Sequence, residues 1–216
     1  MTKKNILICI DRDGTMIYDG GSYHLGKQRN WKKLIKFLRG VNQGIKELRK
    51  INKVKIYMIT NQPGPAIKEF PLLNEKRAIE VCEYLMKLLK EKGAKLDGYE
   101  LCGKASLDYV KRRKDRYTFD KKLVGNFSCA KPKPGMVYNA LKKEGWNKKN
   151  TKIYVIGDRL SDVQCGINAG GLGIFVPFSN KPKEIEKVKK IKSKKKYISK
   201  TFLDACKFIK EKESQI

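Results

Sequence analysis

Short, unbroken apolar runs rich in isoleucine and valine recur along this chain, and they constrain its fold more than any other feature. The first covers residues 5–10 and ends at a cluster of polar residues, and the second covers residues 54–59, where Lys55 is the one charged residue. A short run that is apolar on both faces is typical of a strand buried between two layers. Three further strands are predicted at residues 96–101, 152–156 and 173–176, although Asp97 and Glu100 interrupt the first of them. Five buried strands are therefore predicted.

Amphipathic segments separate these predicted strands. Apolar residues recur at helical spacing in residues 41–51, 134–145 and 163–169. Asn74 predicts the N-cap of a longer helix that stops before Gly93. Strands that alternate with helices predict an α/β fold, with a doubly wound, Rossmann-like parallel sheet between two helix layers. No large cap domain is expected.

The chain is expected to form one main domain with two additions. Residues 1–180 should contain the sheet and its helices, whereas residues 103–130 show weak periodicity and are predicted to be a surface loop insertion. Residues 181–196 carry nine lysines and two glutamates, and a short amphipathic helix follows at residues 202–209. Residues 181–216 are expected to pack on the main domain or to trail from it.

The net charge of +28 comes from 50 basic and 22 acidic side chains in 216 residues. Only 9 of the 50 basic residues are arginine, which is the residue that makes bidentate contacts with phosphate and guanine. This composition favours a solvated basic surface, and a dedicated polyanion groove is the alternative.

Other features of the composition bear on the protein's surroundings. No apolar run approaches the roughly 18 residues that a membrane span needs, and Asp11 follows the first run too soon for a signal peptide. We expect a cytoplasmic protein that has no membrane partner. The six cysteines contain no Cys-Xaa-Xaa-Cys pair, so reduced thiols are expected. The sequence leaves the oligomeric state open.

Unusual polar residues follow the predicted strands or open a predicted helix. These are Asp11, Asp13, Thr60, Asn61, Lys131, Asp158 and Asp162. The carboxyl ends of parallel strands share one edge of the sheet, where ligands bind at a switch in strand order. Several carboxylates facing one point repel each other unless a cation neutralises them. Mg²⁺ suits such a site because it takes hard oxygen ligands and keeps waters that a phosphate can replace.

Four motifs, in this order, resemble the haloacid dehalogenase superfamily of phosphotransferases. They are Asp-Arg-Asp-Gly-Thr at 11–15, Thr-Asn-Gln-Xaa-Gly at 60–64, Lys-Pro-Lys-Pro-Gly-Met at 131–136 and Gly-Asp at 157–158. Together with Leu-Asp-Gly-Tyr at 96–99, they resemble the histidinol-phosphate and heptose-bisphosphate phosphatase subfamily. The resemblance runs from about residue 6 to residue 176.

The resemblance implies a mechanism for hydrolysis of a phosphomonoester. Asp11 would attack phosphorus to give an aspartyl-phosphate, and Asp13 would protonate the leaving oxygen and later activate water. Thr60 and the amide of Asn61 would bind phosphate oxygens, while Lys131 would offset negative charge.

The resemblance also implies a set of Mg²⁺ ligands. Asp11, the backbone carbonyl of Asp13 and Asp158 would hold the ion, and Asp162 would either complete the metal site or orient Lys131. Asp162 could instead be an acidic residue that the helix dipole favours. Lys133 competes with Lys131 for its role, and Arg159 is a candidate substrate contact.

The sequence departs from the subfamily at two places. Where zinc-binding members have Cys-Xaa-His and Cys-Xaa-Cys, this chain keeps only Cys102 and Cys129, and its one histidine, His24, lies far away in the sequence. Zinc is therefore not expected, since a structural zinc site needs four ligands. Packing is expected to hold the insertion instead. An arginine of the subfamily is replaced by Ala130, and Lys133, Arg112 or Arg113 could compensate for it.

Three functions follow from these observations. The leading one is a Mg²⁺-dependent phosphatase for a small sugar or amino-alcohol phosphate, of the heptose bisphosphate or histidinol phosphate type. The first alternative is a nucleic-acid 3′-phosphatase, because the positive charge leaves nucleic acid open as a partner. The second is a non-catalytic basic binding protein on the same scaffold.

Overall fold

The computed structural model describes residues 4–20 and 24–214. The strands are β1 (Asn5–Asp11), β2 (Val54–Asn61), β3 (Gly98–Cys102), β4 (Ala105–Ser106), β5 (Val124–Gly125), β6 (Thr151–Gly157), β7 (Leu172–Phe175) and β8 (Lys196–Ile198). The α-helices are α1 (Val41–Leu48), α2 (Glu75–Glu91), α3 (Leu107–Arg113), α4 (Gly135–Lys143), α5 (Leu160–Asn168), α6 (Lys183–Lys189) and α7 (Phe202–Ser214).

Six of the strands form one parallel sheet in the order β3-β2-β1-β6-β7-β8. Side chains of β1 alternate between its faces: Ile6, Ile8 and Ile10 join one apolar cluster, and Leu7 and Cys9 join another. Apolar faces of α1, α2 and α7 cover the first side, and those of α4 and α5 cover the second. The predicted three-layer, doubly wound fold is confirmed.

The insertion at residues 103–130 contains more structure than the sequence predicted. Ala105 and Val124 pair β4 with β5, and α3 lies between these two strands. The backbone N–H of Tyr109 donates to Ser106 Oγ at 3.2 Å, so Ser106 caps the start of α3. The sequence gives little sign of this helix, because its second half is a consecutive basic cluster and its apolar part is too short to give a periodic pattern.

The segment after residue 180 also contains elements that the sequence did not predict. Ile185, Val188 and Ile191 pack with Val163 and Phe175, so α6 is anchored although lysine dominates its composition. After α6, β8 pairs with β7 in parallel. The final helix, α7, packs against α1 through Phe202 and neighbouring apolar residues.

Cys102 and Cys129 form a disulfide, so the expectation of reduced thiols is wrong for this pair. Their Cα atoms lie 5.4 Å apart although 27 positions separate them in sequence. The bond joins the end of β3 to the segment before Lys131. A covalent link, and not packing alone, therefore closes the insertion. The other four cysteines are free and buried.

Candidate functional site

The strand order of the sheet reverses between β1 and β6, and the acidic residues meet at this point. Successive strands β1, β2 and β3 extend to one side, whereas β6, β7 and β8 extend to the other. Asp11 ends β1, and Asp158 follows β6 directly. Because β1 and β6 pair in parallel, with Ile10 opposite Ile156, both aspartates emerge at the same edge. A crevice at such a switch point is the usual ligand site of this kind of sheet.

Lys131 is buried between two of the carboxylates. Its Nζ lies 2.5 Å from Asp11 Oδ1 and 2.6 Å from Asp162 Oδ1. It also donates to the Ile59 carbonyl oxygen at 3.3 Å. Only 3% of the Lys131 side chain is exposed, so water screens these charges little. This geometry brings together three residues that the sequence predicted at one site.

The backbone around Lys131 is held by Asn61. Asn61 Nδ2 donates to the Lys131 carbonyl oxygen at 3.1 Å, and the Lys131 backbone N–H donates to Asn61 Oδ1 at 3.0 Å. Both polar groups of the Asn61 side chain thus contact the backbone of Lys131. The amide of Asn61 that the sequence predicted as a phosphate-binding group is therefore its backbone N–H.

Asp162 has two partners that match its two alternative interpretations. Its Oδ2 accepts from the backbone N–H of Arg159 at 3.0 Å, at the start of α5. Its Oδ1 contacts Lys131. Asp162 therefore interacts both with the start of α5 and with the Lys131 ammonium.

Asp158 is fully buried and lies beside a second lysine. Lys181 Nζ is 2.7 Å from Asp158 Oδ2, 2.6 Å from Asp19 Oδ2 and 3.5 Å from the Asp13 carbonyl oxygen. Gly14 allows this approach, because its φ is +92° and a Cβ there would lie 2.5 Å from Asp158 Oδ2. An ammonium group thus stands where carboxylate and carbonyl oxygens converge.

Burial and neighbouring charges shift the pKa values of Asp11 and Lys131. Burial raises the pKa of Asp11 to about 7; Lys131 opposes the rise, and Asp162 and Asp158 add to it. Burial alone would lower the pKa of Lys131, but the charges of Asp11 and Asp162 raise it above its ordinary value. A further cation near Asp11 would favour its ionised form.

The residues present fit a hard divalent cation. Oxygens of Asp11, Asp158 and Asp162 lie within 4.8 Å of one another, and all three residues are buried. The Asp13 carbonyl oxygen faces the same place, as its contact with Lys181 shows. Carboxylate and carbonyl oxygens are the donors that Mg²⁺ prefers, and the ammonium of Lys181 demonstrates that this point attracts positive charge.

A cavity of about 690 Å³ opens above Asp11, Asp13 and Lys131. Its wall is mainly basic: cationic residues outnumber the acidic Asp108 and Glu184 there, and they are Lys104, Lys111, Arg112, Arg113, Lys133, Arg159 and Lys187. Arg159 donates to Asp19 at 3.1 Å, and 48% of its side chain is exposed at the rim. The acidic floor and basic wall suit a ligand with more than one anionic group.

His24, the one histidine of the sequence, lines this cavity. Its Nε2 lies 3.3 Å from Tyr109 Oη. Burial lowers the pKa of His24 to about 4, and the charge of Lys27 contributes to the shift. His24 is therefore neutral at physiological pH, and it is a polar but uncharged residue in the lining of the cavity.

Sequence reasoning missed three residues at this site. Thr15 Oγ1 lies 3.4 Å from an oxygen of both Asp11 and Asp158. Gln62 Nε2 donates to Asp13 and to Thr60, which is 1% exposed. The positions of Thr15 and Gln62 within the quoted motifs could have indicated them. Lys181 sits in a lysine-rich stretch, where nothing distinguishes it from its neighbours.

No helix within residues 4–20 and 24–214 combines the length and apolar composition that crossing a membrane requires.

Comparison with known proteins finds relatives of this chain that are phosphatases. A family model described as HAD-hydrolase-like matches residues 128–205. The D-glycero-beta-D-manno-heptose-1,7-bisphosphate 7-phosphatase of Haemophilus influenzae is 31% identical over 165 residues, covering 76% of this chain and 77% of that protein. The enzyme of the same name from Pasteurella multocida is 28% identical, covering 75% and 76%.

A solved structure shares the fold over nearly its full length. It is the D,D-heptose 1,7-bisphosphate phosphatase from B. bronchiseptica, crystallised with magnesium and phosphate. The TM-score is 0.70 at 18% identity, and the alignment covers 95% of this chain and 98% of that one.

Proposed function

Because this chain belongs to the haloacid dehalogenase superfamily and is a phosphatase, we propose that it removes one phosphate from a sugar bisphosphate of the heptose 1,7-bisphosphate type. The observation that carries this proposal is the pairing of a buried Asp11–Lys131 contact with a cavity whose wall is basic. Asp11 would react with one phosphate, and the wall would bind the other. A histidinol phosphate has one phosphate and a cationic amine, which suits this wall less well.

The chemistry we propose has two steps at Asp11. In the first, an Asp11 oxygen bonds to phosphorus as the phosphorus–sugar oxygen bond breaks, and Asp13 gives its proton to the leaving oxygen. In the second, a water oxygen bonds to phosphorus as the aspartyl bond breaks, and Asp13 takes a proton from that water. Asp11 returns unchanged, and phosphate leaves.

Other residues would bind and neutralise the phosphoryl group. Lys131 offsets the charge that Asp11 and the phosphate bring together, and Asp162 and Asn61 keep it in place. The Thr60 hydroxyl and the Asn61 backbone N–H would donate to phosphoryl oxygens. Arg159, at the rim of the cavity, would contact the rest of the substrate. Positioning and charge neutralisation of this kind supply most of the catalysis in phosphoryl transfer.

We propose that Asp11, the Asp13 carbonyl and Asp158 would hold Mg²⁺, with Asp162 acting on the site through Lys131. When bound, the ion would neutralise charge on the transferring phosphoryl group.

A panel of phosphate esters tests the substrate class. With Mg²⁺ present, we expect the purified chain to hydrolyse heptose 1,7-bisphosphate with a much higher kcat/KM than histidinol phosphate. A 3′-phosphorylated oligonucleotide is the third member of the panel, and it tests the nucleic-acid alternative. Preferential turnover of the oligonucleotide, with steep inhibition by salt, would contradict the proposal. If the chain prefers histidinol phosphate, the proposed phosphatase chemistry stands and the proposed sugar bisphosphate substrate is wrong.

Replacing Lys181 with methionine should strengthen Mg²⁺ binding. The Lys181 ammonium contacts Asp158 and the Asp13 carbonyl, so it must repel a cation held by the same oxygens. We expect Kd to fall by roughly tenfold, equal to about 1.4 kcal/mol, in calorimetric titration of the free protein. Lys183→Met is the matched control, because Lys183 is exposed on the same segment. Equal affinities in the two variants would show that Lys181 does not compete with the ion.

A further inference from the structure

The carboxylate of Asp13 is held through one of its two oxygens. Gln62 Nε2 donates to Asp13 Oδ2 at 2.6 Å. Arg12 Nε donates to the same oxygen at 3.0 Å, and Arg12 Nη2 lies 3.0 Å from it. None of these three contacts uses Oδ1. These contacts restrict rotation of the carboxylate about the Cβ–Cγ bond of Asp13 and direct Oδ2 toward Gln62 and Arg12.

The two residues that hold Oδ2 are themselves firmly placed. Arg12 is 1% exposed and Gln62 is 4% exposed. The backbone N–H of Gln62 donates to the Cys102 carbonyl oxygen at 2.8 Å, which attaches Gln62 to the end of β3. Arg12 Nη1 lies 3.8 Å from Cys82 Sγ on α2. Groups so enclosed have few other conformations available, so they can define the orientation of what they contact.

The amide of Gln62 has only one orientation that satisfies its neighbours. Nε2 donates to Asp13 Oδ2 and to Thr60 Oγ1, the latter at 2.7 Å, and so both of its hydrogens have acceptors. If the amide were reversed, an oxygen would face the Asp13 carboxylate. The Asp13 carboxylate, which only accepts when ionised, therefore sets the orientation of the Gln62 amide, and the Thr60 hydroxyl accepts its second hydrogen.

We propose that Gln62 and Arg12 are positioning residues that fix Asp13 through Oδ2 and leave Oδ1 as the oxygen that transfers the proton. This inference rests on the proposed phosphatase function and goes beyond it, since it assigns the proton to one atom and names the residues that present it. Arg12 contributes the Nε–H donor and a positive charge, and Gln62, which follows β2, contributes a neutral donor.

The dependence of rate on the leaving group separates this role from a structural one. A sugar alkoxide is a poor leaving group and needs the proton from Asp13, whereas a nitrophenolate leaves without it. A variant that loses only the orientation of Asp13 should be slow with a sugar phosphate and nearly normal with p-nitrophenyl phosphate. The first turnover is the relevant measurement, because it reports transfer to Asp11 before water is activated.

Gln62→Met keeps the length of the side chain and removes both N–H donors. We expect its first-turnover rate to fall by about 10²-fold with heptose 1,7-bisphosphate, and by less than about tenfold with p-nitrophenyl phosphate. Gln43→Met makes the same change at an exposed position of α1 and should alter neither rate. Thermal unfolding checks that the variants fold. If Gln62→Met does not fold, Gln62→Leu carries the same test, since a leucine side chain has no hydrogen-bond donor.

The outcomes are distinguishable. An equal loss with both substrates would overturn the positioning role, because a displaced phosphate site or a loosened fold slows both reactions alike. No loss with either substrate would overturn it as well. If the unaltered protein hydrolyses neither ester, the proposed function itself fails, and the assignment of the Asp13 proton fails with it. Arg12→Lys, which keeps the charge and loses the Nε–H donor, should show the same substrate difference to a smaller extent.

Discussion

Asp11→Asn is expected to abolish turnover while leaving the fold intact. An amide oxygen is too weak a nucleophile to attack phosphorus, so the covalent step that we propose for Asp11 cannot occur. Removing a nucleophile from an enzyme of this kind costs on the order of 10⁴-fold or more in kcat. The position of Asp11 at the end of β1, between Lys131 and Asp158, makes it the carboxylate best placed for this role.

The variant should be at least as stable as the native protein when no metal is bound. The pKa of Asp11 is raised by burial, so at a pH above about 7 its ionised form opposes folding, and a neutral amide removes this cost. Lys131 keeps its contact with Asp162. Thermal unfolding at mildly alkaline pH with a chelator present measures the effect. Asp115→Asn, a change at an exposed position of the insertion, is the control.

Chemical trapping tests the covalent step itself. Acid quenching during turnover, followed by borohydride reduction, should convert phosphorylated Asp11 to homoserine, which mass spectrometry of the peptide detects. Asp11→Asn should give no such product. Retained activity in Asp11→Asn, or a native protein that gives homoserine at another aspartate, would remove Asp11 from the mechanism.

The fold and the centre of the site follow from the sequence for a simple physical reason. Strands buried on both faces are apolar throughout, so residues such as Asp11 and Asp158 stand out where the strands end. Parallel strands then deliver their carboxyl ends to one edge, whichever helices connect them. Lys131 could be predicted only through the resemblance, since its contact with Asp11 joins positions 120 residues apart.

The features that the sequence did not predict depend on contacts between distant parts of the chain, which the local sequence pattern does not show. Lys181 resembles eight other lysines in its stretch until the fold brings it to Asp158. The disulfide between Cys102 and Cys129 depends on how the insertion closes, which spacing alone does not determine. Helix α6 is held by a few apolar contacts, and a composition dominated by lysine conceals them.

Lys131→Met should impair catalysis and stability together. The variant leaves the buried carboxylates of Asp11 and Asp162 without the cation that now lies between them. Breaking a buried ion pair from one side costs about 3–5 kcal/mol of unfolding free energy, and protonation of Asp11 would reduce this figure. The loss of a charge directed at the transferring phosphoryl group should lower kcat on the order of 10²–10³-fold.

Lys133→Met is the matched control, because the sequence leaves both lysines as candidates for the same role. Lys133 contacts the backbone and side chain of Asn126 at the cavity wall, and neither contact involves a buried carboxylate. We therefore expect this variant to raise KM for a bisphosphate and to change kcat and the urea midpoint little. Steady-state kinetics below the unfolding temperature of both variants, together with urea unfolding, separates the two lysines. If Lys131→Met keeps its kcat while Lys133→Met loses it, Lys133 and not Lys131 supplies the charge that the phosphoryl group needs. Asp11 would then need a source of positive charge other than Lys131.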